Sequence, residues 1–194
     1  MPSDIIITIW QKSHCAGFFF AACAGLNHRI KREERWKKKM KGNPKVIERL
    51  NVLLADELTA TNQYIVHSEM CANWGYDKLH NLVEKRAIDE MKHAEKLIAR
   101  ILFLEGIPVV SNLNKIHIGA EVPAQLTNDL GAELGAVQAY NEGIRLAVEV
   151  GDNGSRELLE SILKDEEDHV DWLEAQLDQL KQMGIQTYLV EQID

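Results

Sequence analysis

From Asn43 onward, apolar residues recur at intervals of three and four along most of the chain, which is the signature of amphipathic helices. Asn43 is placed to cap the first, Pro44 falls in its opening turn, and Val46, Ile47, Leu50, Leu53, Leu54, Leu58 and Ile65 form its apolar stripe. This predicts a helix to about Trp74, ended by Gly75. A second helix is predicted from about Lys78 to Leu104, stopping at Gly106 before Pro108, with Leu79, Leu82, Val83, Ile88, Leu97, Ile101 and Leu104 facing inward. Residues 107–120 have helix breakers at both ends and are too long for a tight helical turn. They predict a connection that crosses the bundle end to end, so that the second and third helices run parallel. The third helix runs from Val122 or Pro123 to Val150, where Gly151-Asp152-Asn153-Gly154 marks a turn. Ser155 is read as the cap of a fourth helix, which continues through Leu158, Ile162, His169, Leu173 and Leu180 to Met183, before Gly184. Thr187 to Val190 allows a short fifth helix. The pattern predicts an all-α protein, a four-helix bundle with one long crossover.

Composition agrees. The chain has 194 residues, 45% of them hydrophobic, enough for one sizeable core, and only 4 Pro and 12 Gly interrupt its helix-favouring residues. Residues 1–39 stand apart. Asp4 to Trp10 is β-branched and apolar, Cys15 to Leu26 is small and aromatic, and Arg29 to Lys39 is largely basic. The basic residues mostly follow the apolar ones, the reverse of a signal peptide, and the apolar run is too short to span a bilayer. The expectation is an extension at 1–39, disordered or translated from a start upstream of Met40, followed by one domain over 40–194. That domain has 14 basic and 27 acidic side chains, a net charge of −13 against −8 for the whole chain. Such a surface repels nucleic acid and attracts cations. Cys15, Cys23 and Cys71 form neither a disulfide framework nor a Cys-x-x-Cys site, which fits a reducing cytoplasm and a protein without a membrane segment.

The candidate chemistry lies in a repeat. Asp89-Glu90-Met91-Lys92-His93 returns as Asp165-Glu166-Glu167-Asp168-His169, 76 residues later. One Glu-x-x-His is ordinarily a solvated helix face. The same offset, however, also pairs Leu54 with Leu130, Glu57 with Glu133, Leu58 with Leu134, Tyr64 with Tyr140 and Leu104 with Leu180. The chain therefore contains twice a unit made of a helix with a lone Glu and, 33 residues later, a helix with Glu-x-x-His. A Glu and a His three apart on a helix can reach a common ion. Glu57 sits among core positions, where an uncompensated carboxylate is costly. Four helices, four Glu and two His form the ligand inventory of ferritin-like di-iron and di-manganese bundles. Carboxylates and imidazoles without thiolate suit Fe or Mn. Two divalent ions balance four carboxylates, with Glu90 and Glu166 as bridges, Glu57 and Glu133 as terminal ligands, and His93 and His169 one on each ion.

Residues 40–194 also resemble bacterioferritin, the haem-containing bacterial ferritin, through MKGNPKVIERLN at 40–51, NQY at 62–64, IDEMKHAE at 88–95, RILFLEG at 100–106 and DEEDHVDWLE at 165–174. The resemblance implies a hollow shell of twenty-four subunits that oxidises Fe(II) with oxygen or peroxide, stores ferric mineral, and takes electrons for release from a ferredoxin-type reductant. It implies two Fe per subunit held by Glu57, Glu90, His93, Glu133, Glu166 and His169. It further implies haem b shared between two subunits, with Met91 as the axial ligand; taken alone, Met91 is a packing residue pointing away from the metal face. Lys85 stands where family members carry a histidine of an inner-surface iron site, beside Asp89, and a protonated lysine cannot ligate iron. His67, His80 and His117 read as ordinary polar or partner-facing residues, and Tyr64 and Tyr140 as core tyrosines bonded to carboxylates or as electron donors. The alternatives are a catalytically idle shell subunit, a peroxide-reducing di-iron protein and a di-manganese catalase.

Overall fold

The computed structural model describes residues 41–193; the expected extension at 1–39 lies outside them. Five helices follow in order: α1 (Pro44–Trp74), α2 (Asp77–Phe103), α3 (Val122–Glu149), α4 (Asn153–Met183) and α5 (Ile185–Val190). The Asn43 side chain accepts from the Lys45 N–H at 2.9 Å, satisfying one of the free amides at the start of α1. Gly75 ends α1 at φ 80°, a conformation that favours glycine. The fourth helix starts earlier than expected. Its cap is Asp152, whose carboxylate accepts from the Ser155 N–H at 3.0 Å and the Ser155 hydroxyl at 2.8 Å, so Asn153 and Gly154 already belong to α4. An ionised carboxylate with two oxygens serves the helix start and also holds Arg100 of α2 at 2.6 Å.

Hydrogen bonds along the crossover establish the topology. The Val109 N–H donates to Asn51, Asn114 to Thr59, His117 to Gln63 and Gly119 to His67, so the segment climbs α1 from near its start to near its end. At one end of the bundle Arg49 of α1 donates to the Ala139 carbonyl of α3, and at the other Cys71 meets Gln125. Helices α1 and α3 are therefore antiparallel. Since α1 and α2 form a hairpin closed by Gly42 N–H to Leu104 O at 2.9 Å, α2 and α3 run parallel, as the length of the crossover predicts.

The core has two apolar ends. Leu50, Leu53, Leu54, Leu97, Ile101 and Ile162 fill one; Leu79, Leu126, Leu173 and Tyr188 fill the other. Three positions expected in these stripes, Ile65, Leu82 and Ile88, are exposed instead (49%, 44% and 42%). Ile88 stands roughly 160° around the helix from Glu90, and α2 turns its Glu90 face to the bundle axis. Among the described residues no helix is long and apolar enough to cross a membrane.

Candidate metal centre

Between the two apolar ends lies a polar layer to which each long helix contributes. Glu57 comes from α1, Glu90 and His93 from α2, Glu133 from α3, and Glu166 and His169 from α4; His169, at 9%, is the most exposed of the six. His93 Nδ1 lies 3.5 Å from Glu57 Oε2, 3.2 Å from Glu90 Oε2 and 3.1 Å from Glu166 Oε1. His169 Nδ1 lies 3.0 Å from Glu90 Oε1, 3.5 Å from Glu133 Oε1 and 3.3 Å from Glu166 Oε2. Glu90 and Glu166 thus divide their oxygens, one toward each histidine. The ligating atoms form two groups, each within 4.8 Å: Glu57, Glu90, His93 and Glu166, and Glu90, Glu133, Glu166 and His169.

This arrangement leaves buried atoms without hydrogen-bond partners, among them Glu57 Oε2, Glu90 Oε1, both Glu166 oxygens and His169 Nδ1. Buried polar atoms are normally satisfied, and five orphans shared between two adjoining groups of carboxylates and an imidazole are the donor set of divalent cations. In the metal-free state the charges compensate one another. Burial opposes ionisation of His93, yet its contacts with Glu166, Glu57 and Glu90 win and push it up to about 12. His169 is pushed up to about 11 against the same burial by Glu133, Glu166 and Glu90. Burial raises Glu57 and Glu133, whereas in Glu90 and Glu166 the close approach of both imidazoles outweighs burial and lowers the carboxyl.

Two tyrosines brace the layer crosswise. The Tyr64 hydroxyl of α1 donates to Glu133 of α3, and the Tyr140 hydroxyl of α3 donates to Glu57 of α1. Each is fully buried, so burial first and the neighbouring carboxylates second hold both phenols well above their usual range. Of the two readings open from sequence, the structure provides the carboxylate bond.

A sequence profile of the ferritin-like domain family matches residues 47–183. The chain is 44% identical over 149 residues to a bacterioferritin of Brucella melitensis, covering 77% of this chain and 92% of that protein. It is equally similar to a bacterioferritin of Rhodobacter capsulatus, over the same shares of both chains. A bacterial ferritin of Synechocystis is 42% identical over 155 residues, 79% of this chain and 99% of that protein. The chain belongs to the bacterioferritin family. Iron storage is the function of this family, and ferroxidase activity is general to it.

Two pockets reach the centre, one from the side of α1 and α3 and the other from the side of α2 and α4. One, of about 560 Å³, leads past Asp56, Asn114, Lys115 and His117 to Glu57, Glu90, Glu133 and Glu166. The other, of about 440 Å³, opens between α2 and α4 beside His93 and His169, lined by Lys85, Arg86, Lys92, Lys96 and Trp172 with Asp89, Asp165 and Asp168. Asp89 is held below the usual carboxylate range: its partial burial is outweighed by its bond to Lys92 at 2.9 Å and by nearby Lys85. Met91 projects outward and is 46% exposed.

Sequence reasoning missed three features. His67 is fully buried, not partner-facing: its Nδ1 donates to Asp129 at 2.9 Å while its Nε2 accepts from Gly119, and Gln63 also donates to Asp129 at 2.8 Å. His93 Nε2 lies 3.1 Å from Asp165, a contact that fixes the orientation of the imidazole ring and leaves Nδ1 facing the carboxylates. Arg86 reaches Glu133. The last had a signal in the sequence, a basic residue four before Glu90 on the same helix face.

Proposed function

We propose that the chain oxidises Fe(II) to Fe(III) at Glu57, Glu90, His93, Glu133, Glu166 and His169 and stores the product inside a shell of its own copies. The observation that supports this reading is the division of the Glu90 and Glu166 oxygens between His93 and His169. Two ferrous ions, the substrate, would share Glu90 and Glu166 as bridges, with Glu57 and His93 completing one position and Glu133 and His169 the other. Each Fe(II) gives up one electron. The pair matches the two-electron demand of either oxidant: oxygen takes two electrons and two protons to become hydrogen peroxide, and peroxide takes the same to become two waters. Tyr64 and Tyr140 hold Glu133 and Glu57 in place, and Asp165 holds His93.

The reading extends to haem b between two copies, each giving the Met91 thioether as an axial ligand, with a ferredoxin-type protein as the reductant for release, in a cytoplasmic shell of twenty-four subunits. The outward position of Met91 is compatible with it. Two neutral, soft thioethers would leave the iron without an open position, which suits electron transfer. Lys85 beside Asp89 argues against an inner-surface iron site here. Stopped-flow oxidation of Fe(II) by the purified, metal-free protein tests the central claim: a fast phase that saturates at two Fe(II) per subunit supports it, and oxidation no faster than in buffer identifies a storage shell whose centre is idle.

A further inference from the structure

The repeat makes the two halves of the centre near copies, and Arg86 breaks the equivalence. Its Nη1 lies 3.9 Å from Glu133 Oε1, the side chain is only 12% exposed, and Nη1 has no hydrogen-bond partner. The guanidinium rests over the Trp172 ring at 4.9 Å, a contact that keeps it from swinging into solvent. A shift by 76 residues brings Arg86 onto Ile162, an apolar residue buried in the core on the Glu57 side. Glu57 accepts from Tyr140 and lies beside His93; among the described residues no lysine or arginine nitrogen comes within ion-pair distance of it. One half of the centre therefore carries a permanent cation that the other lacks, since arginine does not deprotonate in proteins.

We propose that Arg86 makes the two metal positions unequal, weakening cation binding at Glu133 and His169 so that the position at Glu57 and His93 fills first. Two effects act in the same direction. The guanidinium competes for the Glu133 oxygen, and in a buried site its charge repels a divalent ion more strongly than it would in water. The consequence is a threshold: the second Fe(II) binds only at higher concentration, and the two-electron step waits for it. The inference rests on the di-metal reading above.

The test is anaerobic titration of the assembled, metal-free full-length chain with Co(II), followed by its ligand-field absorption. Mutual repulsion of two cations separates the steps in any variant, so the measurement is the change in that separation. Arg86→Gln is expected to tighten the second step on the order of tenfold and to leave the first nearly unchanged. Arg86→Met, which keeps the stem over Trp172, is expected to do the same, and Arg86→Lys, which keeps the charge, to behave as wild type. The tight step should survive in Glu133→Ala and be lost in Glu57→Ala, an assignment that stands even if neither neutral variant assembles. An unchanged separation in the neutral variants, a lysine variant that behaves like them, or a tight step that survives in Glu57→Ala overturns the proposal. Wild-type protein that takes up fewer than two Co(II) per subunit overturns the di-metal reading instead.

Discussion

The Tyr64 hydroxyl on α1 donates to Oε1 of Glu133 on α3, and that bond spans the polar layer between antiparallel helices. Tyr64→Phe keeps the ring in the core and removes the donor from a carboxylate that is 2% exposed. A hydrogen bond to a charged group contributes roughly 1.5–3 kcal/mol. We expect the metal-free variant to lose about that much, read from its urea midpoint, and to oxidise Fe(II) more slowly without losing the capacity for two ions per subunit. An unchanged midpoint would mean that Glu133 finds another donor.

Glu57→Ala and Glu133→Ala should each abolish the fast phase of Fe(II) oxidation while the bundle stays folded. Groups that merely orient metal ligands typically matter by about 10–100-fold, and a ligand should matter at least that much. Removing a buried carboxylate whose ionisation burial opposes relieves repulsion in the metal-free state, so circular dichroism should be unaltered. Rapid oxidation retained in either variant would sink the proposed centre.

Proton release follows from the two raised imidazoles. A histidine raised above its ordinary value contributes stability that is complete below about 6.5. That contribution disappears as pH climbs through the folded values, about 11 for His169 and about 12 for His93. The metal-free protein should therefore hold most of this stability at neutral pH and lose it progressively as pH rises from there, with the last of it gone in strong alkali. Metal ligation requires neutral imidazole, so binding at pH 7 should expel about two protons per subunit from the histidines and tighten as pH rises. Calorimetry of Co(II) binding in buffers of different ionisation enthalpy counts them; fewer than one would contradict the protonated pair.

His67→Ala tests the anchor of the crossover. It leaves Asp129, buried on α3, with Gln63 as its remaining side-chain donor, and it frees the Gly119 amide. A hydrogen bond to a charged group contributes roughly 1.5–3 kcal/mol. We expect a loss of that order in the metal-free protein and faster amide exchange at Gly119, with the helices intact.

Met91→Leu separates a haem protein from one without haem. The side chains have similar volume and polarity, so assembly should be unchanged. The iron–sulfur bond cannot form. Absorption of protein produced with ample haem should show the haem band in wild type and not in the variant, with fast Fe(II) oxidation kept and reductive release slowed. Haem binding undiminished in the variant would return Met91 to a packing role.

The helices, their order and the grouping of the six residues of the candidate centre were legible in the chain because they rest on local periodicity and on a repeat, and both survive in one dimension. Glu57 and Glu133 stand out as acids within apolar stripes, and Glu90/His93 and Glu166/His169 as pairs at helical spacing. The length of the crossover was enough to set α2 parallel to α3, because chain length limits what a connection can span. What periodicity could not supply was which of several apolar residues face inward. Ile65, Leu82 and Ile88 fit the stripes but lie outside, since the rotation of each helix is set by its neighbours and by the polar layer. Which oxygen of Glu90 meets which histidine, the crosswise bonds of Tyr64 and Tyr140, and the approach of Arg86 to Glu133 join residues on different helices. Contacts of this kind exist only when four helices are packed together, and the tertiary structure alone decided them.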